Sequence, residues 1–168
     1  QSKAAGDIAV AGAPRHYVLR SSWVIGKGHN FVRTMAGLSD RVADASNPLD
    51  HVTVVDDQYG RLTFTDDMAA AIFHLRDAGA AYGTYDMTGS GPVESWADIA
   101  RRVFELWHGN EGAVTGISTK EYFASASGPV APRPVHSALD LSKLEATGFH
   151  APDWRQSLAD YIARHQNN

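Results

Sequence analysis

The sequence contains no cysteine, and this absence excludes several kinds of chemistry. Without thiols the chain has no disulfide framework, no thiolate zinc site and no thiol nucleophile. Runs of positive charge are also missing, because the Arg101–Arg102 pair is the longest stretch of Lys or Arg. With a formal net charge of -4, the chain offers no field that would gather a phosphate backbone. We therefore expect neither nucleic acid nor a membrane surface as a partner.

Long apolar runs and complete catalytic signatures are missing as well. No uninterrupted apolar stretch approaches the roughly 18 residues that span a bilayer, and residues 1–20 lack the order of a secretory signal. These features predict a cytoplasmic protein. There is no serine-hydrolase elbow, no P-loop and no HExxH, and the eight histidines are scattered, so we expect no metal site. Residues 26–28 and 89–91 each carry half of a dinucleotide-binding fingerprint, and we assign both to loops.

Helix-like and strand-like segments alternate along the 168 residues, of which 43% are hydrophobic. Continuous or alternating apolar residues predict strands over residues 16–25, 52–56, 82–88 and 113–117. Helical spacing predicts helices over residues 1–10 and 30–38, after the caps Thr65 and Ser95, and around Trp154, Leu158, Tyr161 and Ile162. In the helix after Thr65, the residues Met68, Ile72 and Leu75 share a face. Residues 124–134 are rich in small residues and proline and predict a loop. The pattern is typical of an α/β fold in which helices cover a small sheet.

Two pairs of carboxylates are candidates for chemistry. Asp66 and Asp67 follow Thr65, where acids stabilise the start of a helix, and we favour that structural role. Asp56 and Asp57 stand at the end of a predicted strand, a position at which functional residues of open α/β sheets collect. For this pair a structural and a functional role both stay open.

Six segments stand in an order and spacing that resemble one known family. They read SKAAGD at 2–7, LRSSWV at 19–24, NFVRTM at 30–35, VDDQYG at 55–60, GTY at 83–85, and RP at 133–134 followed by Ser137 and LD at 139–140. The chain resembles the C-terminal half of the dTDP-4-dehydrorhamnose reductase family, within the extended short-chain dehydrogenase/reductases. The resemblance implies the C-terminal part of an extended Rossmann-like reductase. Residues 1–28 would end the dinucleotide-binding domain, and residues 29–168 would be mainly the substrate-binding region.

The resemblance implies a catalytic and cofactor-binding role for Lys3. In the family a tyrosine lies four residues before this lysine on the same helix face. The lysine binds the nicotinamide ribose and lowers the pKa of the tyrosine, which donates a proton to the substrate carbonyl. Ser21 and Ser22 match residues near the nicotinamide. The tyrosine and the glycine-rich turn would lie before Gln1, so we expect a missing N-terminal Rossmann half, with NADPH or NADH bound only by the intact protein. Without the resemblance, Lys3 is an exposed helix lysine.

Three residues match the family's substrate side near a strand end. Trp23 corresponds to a tryptophan that packs against the deoxysugar, and Asn30 and Phe31 to a pair that opens a helix beside the nucleotide. Backbone N–H groups and an amide at such a helix start can hold phosphate oxygens. The alternative is structural: Trp23 and Phe31 as core aromatics and Asn30 as a helix cap.

Four further residues complete the implied substrate site. Gln58, Gly60 and Thr63 fall in the family's loop beside the nucleotide, in which Leu62 replaces the usual proline. Arg133 matches an arginine at the substrate pyrophosphate, a role that suits a planar and permanently charged guanidinium. A surface arginine in a proline-rich loop is the alternative for Arg133.

The implied reaction transfers hydride from NADPH or NADH to the C4 ketone of a dTDP-linked deoxysugar. The product would be dTDP-L-rhamnose for cell-surface polysaccharide, and the chain alone would be inactive. Two alternatives stay open: a non-catalytic regulatory or binding relative, and an extended-family epimerase or dehydratase acting on another nucleotide-sugar. The choice between NADP and NAD, the upstream tyrosine, a fused epimerase domain and the oligomeric state, a homodimer included, are also left open by these residues.

Overall fold

The computed structural model describes residues 1–47 and 49–166 as a mixed arrangement of helices and short strands. The helices are α1 (Ser2–Ala11), α2 (Phe31–Ala43), α3 (Thr65–Asp77), α4 (Trp96–His108), α5 (Thr119–Tyr122), α6 (Ser142–Glu145) and α7 (Trp154–Gln166). The strands are β1 (Tyr17–Arg20), β2 (Val24–Ile25), β3 (Val52–Val55), β4 (Tyr59–Gly60), β5 (Thr63–Phe64), β6 (Gly83–Asp86), β7 (Glu94–Ser95) and β8 (Val114–Ile117). A 3₁₀ turn, Glu111–Ala113, leads into β8.

The strands of the described residues pair two by two. Parallel pairs form between β1 and β6, β2 and β5, and β3 and β8, whereas β4 and β7 run antiparallel. Each parallel pair is joined through at least one helix, as a parallel connection requires. The predicted α/β class with small sheets and covering helices is therefore confirmed.

The main core lies where α2, α4 and α7 meet β3 and β8. The start of α4 shows why this segment folds as it does. Ser95 Oγ accepts a hydrogen bond from the Asp98 backbone N–H at 3.1 Å, and the Asp98 carboxylate accepts one from the Ser95 N–H. The predicted cap Ser95 thus forms a capping box with Asp98. On the inner face of the helix, Ile99, Val103 and Phe104 are fully buried. The predicted C-terminal helix is also confirmed, because Trp154, Leu158, Tyr161 and Ile162 are all buried.

A second, smaller core packs α3 and α6 against β6. Its buried residues include Leu75, Tyr85, Met87 and Leu144. Outside both cores lies α1, which buries none of its residues against the described part of the chain. An ion pair of 2.8 Å between Asp7 and Arg20 connects α1 to β1.

The predicted strand over residues 16–25 is wrong as a single element. The structure divides it into β1 and β2, with Trp23 between them in the left-handed region at φ 51°. The two halves pair with different strands, β1 with β6 and β2 with β5. The ring of Trp23, at the turn between them, stacks on the ring of Trp96.

Two details of α3 also differ from the sequence prediction. The cap is Phe64 rather than Thr65, which is the first helical residue. The Thr65 side chain lies close to Gly26, where a Cβ would come within 2.8 Å of it. Asp66 and Asp67 do lie in the first turn, as predicted. Ile72 is 47% exposed rather than buried beside Leu75. No helix within residues 1–47 and 49–166 is both long and apolar enough to cross a membrane.

Candidate functional site

A cavity of about 560 Å³ opens between α2, β3 and the start of α4, and residues 122–137 close one side. Its lining brings together five of the predicted site residues, which are Ser22, Trp23, Phe31, Gln58 and Arg133. These residues are up to 111 positions apart in the sequence, so their meeting is a result of the fold. A cavity of this size is typical of small-molecule sites.

Aromatic rings form one wall of the cavity. The rings of Trp23 and Trp96 stack with centroids 3.7 Å apart, and Phe31 packs obliquely on Trp96 at 4.4 Å. Gly60 permits this arrangement, because a Cβ there would lie 2.9 Å from the Trp23 ring. Gly60 therefore supports the wall rather than lining the cavity. The flat apolar rings offer a surface on which another ring can pack.

Backbone hydrogen bonds hold the segment that carries Arg133. Tyr59 N–H donates to the Val135 carbonyl and Ser137 N–H donates to the Tyr59 carbonyl, both at 2.7 Å. Ser22 Oγ donates to the Ser137 carbonyl, also at 2.7 Å. These bonds run the segment beside β4 and place the Arg133 side chain at the cavity.

Thr63 and Leu62 do not line the cavity, but they stabilise the backbone next to it. Thr63 is fully buried and its hydroxyl donates to the Ser22 carbonyl at 2.7 Å, so it fixes the backbone next to Trp23. Leu62 is fully buried in the main core, and this burial anchors the segment between β4 and β5.

Gln58 and Asp57 meet the start of α5. Gln58 Nε2 donates to the Thr119 hydroxyl oxygen at 2.9 Å. The Asp57 carboxylate accepts hydrogen bonds from the Thr119 hydroxyl and from its backbone N–H, the latter at 3.0 Å. These bonds lower the pKa of Asp57 below its ordinary value, because they stabilise the charged carboxylate. Of the Asp56–Asp57 pair, Asp57 therefore holds α5 against β3.

Asn30 lies outside the cavity and its side chain is fully engaged. Its Oδ1 accepts from the Arg33 N–H at 3.1 Å, which makes Asn30 the cap of α2. Its Nδ2 donates to the carbonyls of Gly26 and Gly28 and to the Tyr161 hydroxyl. This arrangement matches the structural alternative considered for Asn30, and the substrate-binding role stays a prediction.

Lys3 and Ser21 are not among the residues that line the cavity. Lys3 lies exposed in the first turn of α1, and Ser21 follows the end of β1. Among the described residues, no three His, Asp or Glu side chains converge as metal ligands would.

Sequence reasoning missed three aromatic residues of the cavity: Trp96, Tyr122 and Phe123. Trp96 is the first residue of α4, directly after the capping serine, and it packs against the main core. Tyr122 and Phe123 end α5, a helix that was not predicted although Ser118 and Glu121 form a second capping box there. That Ser-x-x-Glu spacing was the available signal.

Comparison with known proteins identifies the family. The RmlD substrate binding domain matches residues 1–167. The chain belongs to this family. A dTDP-4-dehydrorhamnose reductase from Sinorhizobium fredii is 36% identical over 169 residues, which cover 94% of this chain and 53% of the relative. A reductase of the same name from Aggregatibacter actinomycetemcomitans is 32% identical, with 97% of this chain and 55% of the relative covered.

Solved structures agree with this assignment. A dTDP-4-dehydrorhamnose reductase from Bacillus anthracis, solved in complex with NADP, superposes with a TM-score of 0.80 and 30% identity, covering 97% of this chain and 53% of its own. One from Clostridium acetobutylicum gives a TM-score of 0.76 and 34% identity, covering 93% and 51%. The chain thus spans about half the length of these relatives. The family resemblance seen in the sequence is confirmed, and the division at residue 28 stays a prediction.

Proposed function

We propose that this chain forms the nucleotide-sugar-binding part of a reductase that converts dTDP-4-dehydro-L-rhamnose to dTDP-L-rhamnose with NADPH or NADH. The observation that carries the proposal is the cavity, in which stacked indoles lie beside a guanidinium and an amide. The names of the S. fredii and B. anthracis relatives support the reaction. The step would supply an activated deoxysugar for cell-surface polysaccharide.

The chemistry of the lining suits a nucleoside diphosphate sugar. The Trp23 and Trp96 rings offer an apolar face to a base or to the methyl-bearing side of a deoxysugar. Arg133 offers a planar fork of N–H donors that matches the oxygens of a diphosphate. Among these side chains Arg133 carries the positive charge, so we assign the diphosphate to its end of the cavity.

For the reduction we propose Lys3 as the residue that holds the cofactor ribose. Lys3 is exposed, and its ammonium donors fit ribose hydroxyls. Ser21 follows β1 at its carboxyl end, the edge at which ligands of parallel sheets bind. The nicotinamide cofactor, when bound, supplies hydride to C4 of the sugar. Lys3 would lower the pKa of a neighbouring phenol that donates the proton to the carbonyl oxygen.

Titration calorimetry of the 168-residue chain tests the binding assignment. We expect binding of dTDP and dTDP-L-rhamnose, and no micromolar binding of NADPH or NADH, because a dinucleotide needs many more contacts than Lys3 and Ser21 supply. Micromolar binding of either nicotinamide cofactor would contradict the position assigned to the cofactor site.

Arg133→Ala separates diphosphate recognition from general stability. We expect the affinity for dTDP to fall about 10- to 100-fold, as the loss of one charge-assisted contact implies. Arg76→Ala is the matched control, because Arg76 pairs with Asp77 at the end of α3, away from the cavity. Equal affinity of the two variants would contradict the role of Arg133.

The catalytic role of Lys3 must be tested in a longer protein, in which this chain is joined to the part that its relatives have in addition. There we expect Lys3→Met to lower kcat by about two orders of magnitude or more, since a positioned proton-transfer system loses its cation. Circular dichroism would check that the fold persists. Turnover close to that of the unmodified enzyme would refute the role of Lys3.

A further inference from the structure

The hydrogen bonds among Asp57, Thr119 and Gln58 have a fixed polarity, which means that the donor and the acceptor of each bond cannot be exchanged. A carboxylate can only accept, so the single proton of the Thr119 hydroxyl is donated to Asp57. The Thr119 backbone N–H donates to the same carboxylate at 3.0 Å, which fixes the position of Thr119 relative to Asp57. The Thr119 oxygen is then left with acceptor capacity alone.

This polarity decides which end of the Gln58 amide faces Thr119. An oxygen that can only accept needs a donor, and the donor of a glutamine amide is its NH₂ group. The 2.9 Å contact is therefore Nε2 to Oγ1, and the amide oxygen Oε1 points the other way. The pKa of Asp57 is lowered by the same hydrogen bonds, so the carboxylate stays charged and the polarity holds at neutral pH.

The oxygen of Gln58 faces accessible space. Within residues 1–47 and 49–166, no buried side-chain oxygen or nitrogen lacks a hydrogen-bond partner, and no donor of those residues reaches Gln58 Oε1. Oε1 therefore keeps access to solvent, although Gln58 is only 9% exposed. The open space beside this side chain is the cavity that Gln58 lines.

We propose that Asp57 and Thr119 are positioning residues that hold the Gln58 amide oxygen toward the cavity, where it accepts a hydrogen bond from a ligand N–H or O–H group. Because the inference rests on the proposed function, the ligand is taken to be a thymidine diphosphate sugar. Two of its groups have this chemistry, the imide N–H of the base and a hydroxyl of the sugar. Thr119 thereby selects ligands by the polarity that it imposes on Gln58.

Three variants of the 168-residue chain isolate the role of Thr119. Thr119→Val keeps the shape of the side chain and removes its hydroxyl, so the amide of Gln58 is free to turn. Thr119→Ser restores the hydroxyl. Ser118→Ala is the control for α5, because the Ser118 hydroxyl caps the same helix through hydrogen bonds with Glu121.

Calorimetry with dTDP-L-rhamnose is the primary measurement. We expect Thr119→Val to weaken binding about fivefold, the size of one neutral hydrogen bond, whereas Thr119→Ser and Ser118→Ala stay within about twofold of the unmodified chain. Gln58→Met should weaken binding as much as Thr119→Val. The double variant should be no weaker than either, since Thr119 acts through Gln58.

Two further ligands identify the donor. If the base donates, N3-methylation of dTDP weakens binding to the unmodified chain, and Thr119→Val reduces this penalty. If the sugar donates, Thr119→Val weakens dTDP-L-rhamnose and leaves dTDP unchanged. Either result supports the positioning role.

Two outcomes would overturn the inference. Binding by Thr119→Val as tight as by Ser118→Ala, or additive losses in the double variant with Gln58→Met, refutes the positioning role and leaves the proposed function standing. If Thr119→Val does not fold, Thr119→Ala, which also removes the hydroxyl, replaces it in the cycle with Gln58→Met. Failure of the unmodified chain to bind dTDP and dTDP-L-rhamnose would refute both proposals.

Discussion

The helices α1 and α4 both contain many apolar residues, yet they have opposite places in the molecule. In α4, Ile99 and Val103 lie one helical turn apart and the helix buries five residues. In α1 the apolar residues Ala4, Ile8 and Ala11 also share one face, yet none is buried against the described residues and Ile8 is 76% exposed. Helical spacing of apolar residues therefore buries a helix only where another element covers its apolar face.

The same difference separates the proposed substrate site from the proposed cofactor residue Lys3. The cavity stands on the core, because Trp96 is the first residue of α4 and stacks directly on Trp23. Lys3 lies on α1, which is held to the described residues chiefly through the Asp7–Arg20 ion pair. We therefore expect substrate binding to depend on core stability, and the environment of Lys3 to be independent of it.

The largest expected effect comes from removing a core side chain of α4. Phe104→Ala should lower the free energy of unfolding by about 3–5 kcal/mol, because a fully buried ring leaves a cavity behind. Ile8→Ala on α1 should change it by less than about 0.5 kcal/mol. Urea denaturation followed by tryptophan fluorescence measures both. Equal losses would show that α1 is part of the cooperative core.

Two glycines, one at the end of α4 and one inside α1, should differ in their effect on stability by an intermediate amount. Gly109 ends α4 in the left-handed region at φ 67°, so Gly109→Ala should cost about 1–2 kcal/mol although a Cβ there meets nothing within 4 Å. Gly6 lies inside α1 and is also unobstructed. Gly6→Ala should increase the helical circular dichroism signal and leave the urea midpoint unchanged. A shift of the midpoint by Gly6→Ala would contradict the independence of α1.

Local chemistry explains what could be predicted from the sequence. The caps at Asn30 and Ser95 depend on residues within one turn, and both were found where the pattern indicated. The C-terminal helix was found for a similar reason, because its apolar residues repeat at helical spacing. Family resemblance added Gln58 and Arg133, which the structure brings to one cavity.

Non-local contacts explain what could not be predicted. The stacking of Trp23 on Trp96 joins residues far apart in sequence, and the left-handed turn at Trp23 lies between two strands that pair with different partners. The role of Thr119 depends on contacts with Asp57 and Gln58 across the cavity wall. No periodicity within one segment contains this information.

A smaller, pH-dependent effect on stability is expected at Asp57, which lies next to the cavity residue Gln58. Its pKa is lower in the folded chain than in the unfolded one, because Thr119 donates to the carboxylate. The stability that it contributes is present above the unfolded pKa of about 3.9 and is lost as the pH falls through the folded value. Asp57→Asn should therefore lower the urea midpoint near pH 6 and have progressively less effect in more acidic buffer. A constant difference at every pH would contradict this cause.

The smallest effect is expected from Asp7→Asn, which breaks the ion pair between α1 and β1. Arg20 and Asp7 are 58% and 33% exposed, and such pairs contribute little because water and salt screen them. We expect the free energy of unfolding to change by less than about 0.5 kcal/mol.

The local consequence of Asp7→Asn should nevertheless be measurable. Amide hydrogen exchange should become faster in α1, which loses its connection to Arg20, and stay unchanged in α4, where the buried face maintains protection. Asp7→Glu, which keeps the charge, is the matched control and should retain most of the protection in α1. Faster exchange in α4 after Asp7→Asn would mean that α1 and the core open together. The helix α1 would then be more exposed than α4 without unfolding independently of it.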